Sequence, residues 1–218
     1  MPGPASTQHI PDKPPALPGF EHIRRFWNPR ISRWTAKILP GELFVTCGDE
    51  VVSTILGSCI AACIRDPVLR IGGMNHFMLP EDHSSGKSSW LDGPNGLSTR
   101  YGSYAMESLI NELLKLGAAR GRMEIKLFGG ASILTAPTDV GARNIAFARG
   151  FLKLEGFRIA AEDVGLTCPR HVDYDPGTGR AMLKRLPTLG ARAIVTEEAR
   201  YIERLKREEP RDDVELFD

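Results

Sequence analysis

Between positions 51 and 80 the chain reads VVSTILGSCIAACIRDPVLRIGGMNHFMLP, and this stretch constrains the fold more than any other. Residues 51–56, 60–65 and 71–79 are apolar runs of strand length. Asp66-Pro67 is a turn signal, so the second and third runs are predicted to form a hairpin. Gly57-Ser58 sets Cys59 directly after a turn, and His76 is the one titratable residue in the run 71–79. A cysteine at the mouth of a turn and a histidine on a neighbouring strand are the minimal thiol nucleophile and base.

The rest of the chain supplies a scaffold. Strands are predicted at residues 43–47, 123–128, 158–163, 171–175 and 180–186, the last two joined by the turn Pro176-Gly177-Thr178-Gly179. A helix over 100–116 has Thr99 as its cap, Met106, Leu109, Ile110, Leu113 and Leu116 on one face, and Gly117 at its end. A second helix is predicted near 142–155, with Ile145, Ala148, Phe151 and Leu152 on one face. Mixed strands with two or three helices imply an α/β or α+β sandwich. Residues 81–98, polar and holding Trp90, read as a long loop.

Three regions follow from this pattern. Residues 1–40 hold half of the 16 prolines and six Lys/Arg against two Asp/Glu, a basic and flexible tail. Within it Phe26, Trp27, Ile31, Trp34 and Ile38 fall at roughly helical spacing, fitting a segment that packs on the domain surface or docks a partner. Residues 41–190 form the domain. Residues 191–218 hold an amphipathic helix over 195–208, with Tyr201, Ile202 and Leu205, and an acidic tail.

Composition removes several classes of function. With 218 residues, 42% apolar and 25% charged, the chain can bury one good core. A net charge of +1 gives no bulk electrostatic case for nucleic acid or membranes. No apolar run approaches the roughly 18 residues of a membrane span. No positive region followed by an apolar core precedes the domain, so secretion is not expected. Cys47, Cys59, Cys63 and Cys168 make no CxxC pair and no zinc-like spacing. A cytoplasmic protein with reduced thiols is the simplest reading.

Each candidate residue has a plain reading beside the chemical one. A free thiol is mostly protonated at neutral pH, and an imidazolium or clustered backbone N–H groups would lower its pKa. Gly57 allows a sharp turn in which the N–H groups around Ser58 and Cys59 face one point, suited to an oxyanion. Against this, free cysteine is commonly a small buried hydrophobe, and Cys63, four residues on, reads as core. His76 shares a strand face with Met74 and Met78, where a histidine is more often a hydrogen-bonded core residue than a base. Ser53 and Thr54 are the hydroxyls that precede Cys59, and strand alternation lets only one reach the histidine's side. Asp163, Asp173 and Asp175 read as solvated strand ends rather than metal ligands. The glycines of GGAS at 129–132 lack the GK[ST] of a phosphate loop.

The motifs LGSC, RDP, GGMNHFMLP, RYGSYAME, LINELLKLGA, KLFGGAS, GARN and GTGRAMLKRL, spanning about residues 43–186, resemble the chemoreceptor glutamine deamidases of the CheD family. The resemblance implies a three-layer α/β sandwich of mixed sheets with flanking helices, similar to the catalytic domain of deamidating toxins. It implies a hydrolase that converts glutamine side chains of methyl-accepting chemotaxis proteins to glutamate and ammonia, with no metal or organic cofactor. It places the catalytic cysteine and histidine at Cys59 and His76. The third member, a hydroxyl six residues before the cysteine, falls on Ser53, where threonine is usual, with Thr54 beside it. Gly57 and Ser58 are expected in support. A second departure is Val164-Gly165-Leu166, where a paired glycine is more usual. The expected partners are chemoreceptor cytoplasmic domains and a CheC-type phosphatase, and an adaptor with little catalysis is the alternative to the enzyme.

Overall fold

The computed structural model describes residues 10–80, 97–133, 139–187 and 191–207. Two five-stranded mixed sheets share one apolar core. The first sheet is built from β1 (Arg24–Asn28), β2 (Arg33–Lys37), β4 (Glu50–Leu56), β9 (Arg170–Asp175) and β10 (Arg180–Arg185), in that spatial order. The second has β3 (Leu43–Thr46), β6 (Ile71–Asn75), β5 (Ile60–Asp66), β7 (Glu124–Gly129) and β8 (Ile159–Val164). All neighbours are antiparallel except β2 with β4 and β7 with β8. Helices α1 (Leu97–Lys115) and α2 (Val140–Leu154) pack on the second sheet, and α3 is Ala191–Arg207. This is the mixed α/β sandwich expected.

Residues 24–37, expected within a flexible tail of helical spacing, instead form the β1–β2 hairpin and extend the first sheet. The spacing that looks helical is also that of a hairpin: Trp27 faces Trp34 across the register, their rings edge to face at 6.1 Å. Ile23, Ala36 and Ile38 then join the core. Helix α1 begins at Leu97, so Thr99 lies in its first turn rather than at its cap. Gly117 ends it with φ +90°, as expected. The predicted loop at 81–98 lies outside the described residues through 96, as do residues 1–9 and the acidic tail from 208 on.

The chain changes sheet between β4 and β5. It leaves the first sheet at Leu56 and joins the second at Ile60. The three residues at this corner, Gly57, Ser58 and Cys59, belong to no strand, so their N–H groups are not spent in a ladder.

Candidate active site

The corner builds an anion cradle. The carbonyl of Gly57 accepts from Ala131 N at 2.8 Å, that of Ser58 from Asn144 Nδ2 at 2.8 Å, and that of Cys59 from Gly130 N at 2.6 Å. With three successive carbonyls held by the 129–131 turn and α2, the three N–H groups converge on the opposite side. Gly129 has φ +111°, and a Cβ there would sit 2.2 Å from the Cys59 carbonyl, so glycine is required for this approach. The GGAS segment therefore shapes the turn through its backbone. Asn144, which also accepts from Leu79 N at 2.9 Å, is fully buried and ties α2 to the corner and to the segment that follows β6.

The N–H groups meet on the carboxylate of Glu198 in α3. Its Oε1 accepts from Gly57 N at 2.9 Å and Cys59 N at 3.1 Å, and its Oε2 accepts from Ser58 N at 3.0 Å and Ser58 Oγ at 2.6 Å. Those four bonds use all the in-plane lone pairs a carboxylate has. Cys59, His76 and Glu198 each place a side-chain atom within 4.8 Å of the others. Such a trio can ligate a metal, but the carboxylate is already saturated by hydrogen bonds.

Cys59 precedes β5 and His76 follows β6, and extending the register of these two strands places them on one face. The register that pairs Cys63 with Met74 and Ile60 with Phe77 makes them diagonal neighbours. Thr54 approaches from β4, on the core-facing side with Val52 and Leu56. Its Oγ1 lies 2.8 Å from Ile38 O and 2.8 Å from His76 Nδ1. A carbonyl can only accept, so the single hydroxyl proton goes to Ile38. Nδ1 must then carry the ring proton and donate to Thr54. This leaves Nε2 with its lone pair, and Nε2 has no partner among the described residues. The tautomer is the one a general base needs.

Ser53, on which the resemblance places the third member, points the other way. Its Oγ is 2.8 Å from His171 Nε2 on the outer face of the first sheet. Alternation along β4 makes the two choices exclusive, and the core-facing hydroxyl is Thr54's. Gly57 and Ser58 supply two of the three N–H groups that meet on Glu198. Cys63 is buried on β5, Cys47 is exposed and Cys168 half-buried. Asp163 pairs with Arg170 and Arg185 near the end of β8 and Asp175 with Arg33 at the end of β9, whereas Asp173 lies inside β9, its Oδ1 3.3 Å from His171 Nε2 and without a hydrogen bond among the described residues. The Val164-Gly165-Leu166 departure packs against the cradle, with Ser132 N donating to Leu166 O at 2.8 Å.

Burial acts on both Cys59 and His76 against their charged forms. Burial, and then the Glu198 carboxylate, push the Cys59 thiol well above its usual range. Burial alone holds the His76 imidazole down at about 3. Cys59 is 0% and His76 1% exposed.

Sequence reasoning did not reach Glu198 or Asn144. Glu198 had a signal, since it falls in the apolar stripe Ile194, Val195, Tyr201, Ile202 and Leu205 of α3, where a carboxylate needs a reason. Asn144 ends GARN but carries no chemistry that marks it.

Similarity to known proteins decides the family. The chain is 45% identical over 213 residues to a protein of Hahella chejuensis named "Probable chemoreceptor glutamine deamidase CheD", covering 97% of this chain and 99% of that one. The chain belongs to the CheD family. Likewise named relatives in Halorhodospira halophila and Hydrogenovibrio crunogenus are 46% and 48% identical, over 94% and 84% of this chain and 94% of each relative. The family model described as CheD chemotactic sensory transduction matches residues 78–185. The CheD relatives' names denote an amide hydrolase, a reaction that a thiol, a base and an anion cradle can serve. No helix among the described residues is long and apolar enough to cross a membrane.

Proposed function

We propose that this protein is a chemoreceptor glutamine deamidase using Cys59 as nucleophile and His76 as base. The observation that carries the reading is the convergence of the Gly57, Ser58 and Cys59 N–H groups beside a thiol within 4.8 Å of a His76 ring nitrogen, with Nε2 unpartnered among the described residues.

His76 Nε2 takes the thiol proton and the thiolate attacks the amide carbon of a receptor glutamine. The corner N–H groups hold the oxyanion, a contribution of about 3 kcal/mol for one such donor. His76, now protonated and steadied through Nδ1 by Thr54, gives a proton to the departing ammonia. Water then cleaves the thioester, again with His76 as base, releasing glutamate and the thiol. Thr54 is the positioning hydroxyl. Each turnover adds one negative charge to the receptor. The chemistry requires neither metal nor organic cofactor, and the site of action is the cytoplasmic part of the receptor.

The test is mass spectrometry of a receptor cytoplasmic fragment incubated with wild type and with Cys59→Ala. Conversion of particular glutamines by wild type alone is expected. Equal conversion by Cys59→Ala overturns the mechanism, and binding without conversion by either would make the protein an adaptor.

A further inference from the structure

A glutamate side chain on a helix, its carboxylate in the anion cradle beside Cys59, is what the proposed reaction leaves behind. Glu198 is that chemical species, built into the chain itself. It reaches the cradle from an amphipathic helix whose Leu205 is buried and whose Tyr201 lies against Gly41, with Arg204 donating to Pro40 O. The groove beneath this helix continues as a cleft of about 200 Å³ that runs from His76 between β6 and the α1 residues Tyr101 and Tyr104.

We propose that α3 is a product mimic held in cis: its Glu198 occupies the place of the deamidated side chain, and a substrate helix must displace α3 to reach Cys59. This rests on the deamidase reading and adds to it the form of the substrate and a resting state. Three observations support it. The carboxylate makes four hydrogen bonds to the cradle and none is left for a substrate oxygen. Cys59 and His76 have almost no exposed surface while α3 is seated. The carboxylate also opposes the thiolate, so the seated state is chemically quiet.

The groove selects accordingly. A substrate is an amphipathic helix whose glutamine stands where Glu198 does, with large apolar residues three and seven positions later, as Tyr201 and Leu205 stand here. A glutamine amide offers one acceptor oxygen where the carboxylate offers two, so the unconverted side chain fits the cradle less well than the product.

The decisive variant is Glu198→Gln, which turns the mimic into a substrate. Cys59 Sγ bonds to the carbon of the introduced amide, and ammonia leaves with a proton from His76. Water then hydrolyses the thioester, so the introduced glutamine and water become glutamate and ammonia. Peptide mass spectrometry of the purified full chain is expected to find glutamate regenerated at this position in Glu198→Gln. The amide is expected to be retained when Cys59→Ala is combined with it. A second readout needs no deamidation: alkylation of Cys59 by iodoacetamide, mapped separately from Cys47 and Cys168, is expected to rise at least about tenfold in Glu198→Ala as the cradle contacts are lost. Retention of the amide by a Glu198→Gln enzyme that still converts a receptor fragment, with Cys59 alkylation unchanged in Glu198→Ala, overturns the mimic and leaves the deamidase reading standing. Faster alkylation in Glu198→Ala, with no conversion of the introduced amide or of any receptor glutamine, overturns the deamidase reading, and with it the mimic.

Discussion

Replacing Thr54 by valine keeps the side chain's shape and removes only its hydroxyl. Two buried groups lose their partner at once, the Ile38 carbonyl and the His76 Nδ1–H, each now 2.8 Å from Oγ1. A buried polar group left unpaired costs about 1–3 kcal/mol, so with two such groups Thr54→Val is expected to lose about 2–6 kcal/mol of stability. For a chain of this size that lowers Tm by roughly 4–24 °C. The catalytic effect is separate. Losing a bond worth about 1.5–3 kcal/mol to the positioned, protonated ring converts to a fall in kcat of roughly 10- to 150-fold. Without Thr54 the ring can place its proton on Nε2 and present no lone pair to the thiol.

Ammonia release from a receptor fragment, measured across pH below the melting range of both proteins, separates the two effects. Thr54→Ser restores the hydroxyl and is expected to recover most of kcat, which a purely structural role does not require. Ser53→Ala removes only the contact with His171 and is expected to leave kcat within about twofold, since that hydroxyl is on the other face of β4. A Ser53→Ala enzyme that is dead while Thr54→Val is active would refute the orientation argument.

Other expectations follow from single contacts. Asn144→Ala leaves Ser58 O and Leu79 N unpaired, so denaturant melts should show a loss of about 2–6 kcal/mol, with kcat also reduced because the Ser58–Cys59 peptide is no longer held. Leu166 carries φ +66° while 55% exposed, so Leu166→Gly is expected to raise stability by up to about 1 kcal/mol in the same assay, left-handed strain outweighing chain entropy. His76 titrates near 6.5 when unfolded but is held at about 3 when folded, so the unfolded state binds the extra proton between those values. Stability should fall as pH drops through that window, by at most about 1.4 kcal/mol per pH unit, and His76→Gln should flatten the slope in acid melts. The buried Asp66 carboxylate is held below its usual range, first by the Arg122 guanidinium, so its contribution is present above about pH 4 and fades below it. The gap between wild type and Asp66→Asn should close accordingly as melts are taken to lower pH.

Much of this architecture is legible in the sequence because it rests on local periodicity. The strands from Leu43 onward, α1, α2 and the turn at Asp66-Pro67 follow apolar spacing and turn chemistry, and their ends differ from expectation by a few residues. The β1–β2 hairpin was not legible, because Phe26, Trp27, Ile31 and Trp34 satisfy a helical and a hairpin spacing alike. What decides between them is the open edge of β4, a long-range partner with no local signature. Cys59 and His76 could be named because each is an unusual residue type in its setting. The resemblance puts the third member on Ser53, and the residues alone offer no check on it, since alternation says that only one of Ser53 and Thr54 faces the core and not which.

Glu198 shows where such reasoning runs out. Its position on the apolar stripe of α3 is visible, but the cradle that makes a carboxylate tolerable there lies about 140 residues away in sequence. That cradle exists only because β4 and β5 belong to different sheets. The corner between them frees three N–H groups that any strand ladder would have used. Left empty beneath a seated α3, three converging buried donors would be costly, and a lone buried carboxylate more so. Each feature is unfavourable alone and satisfied by the other. A groove that must be filled between turnovers, by a side chain chemically equal to the product, is the physical reason for this family member to carry its own glutamate on a helix.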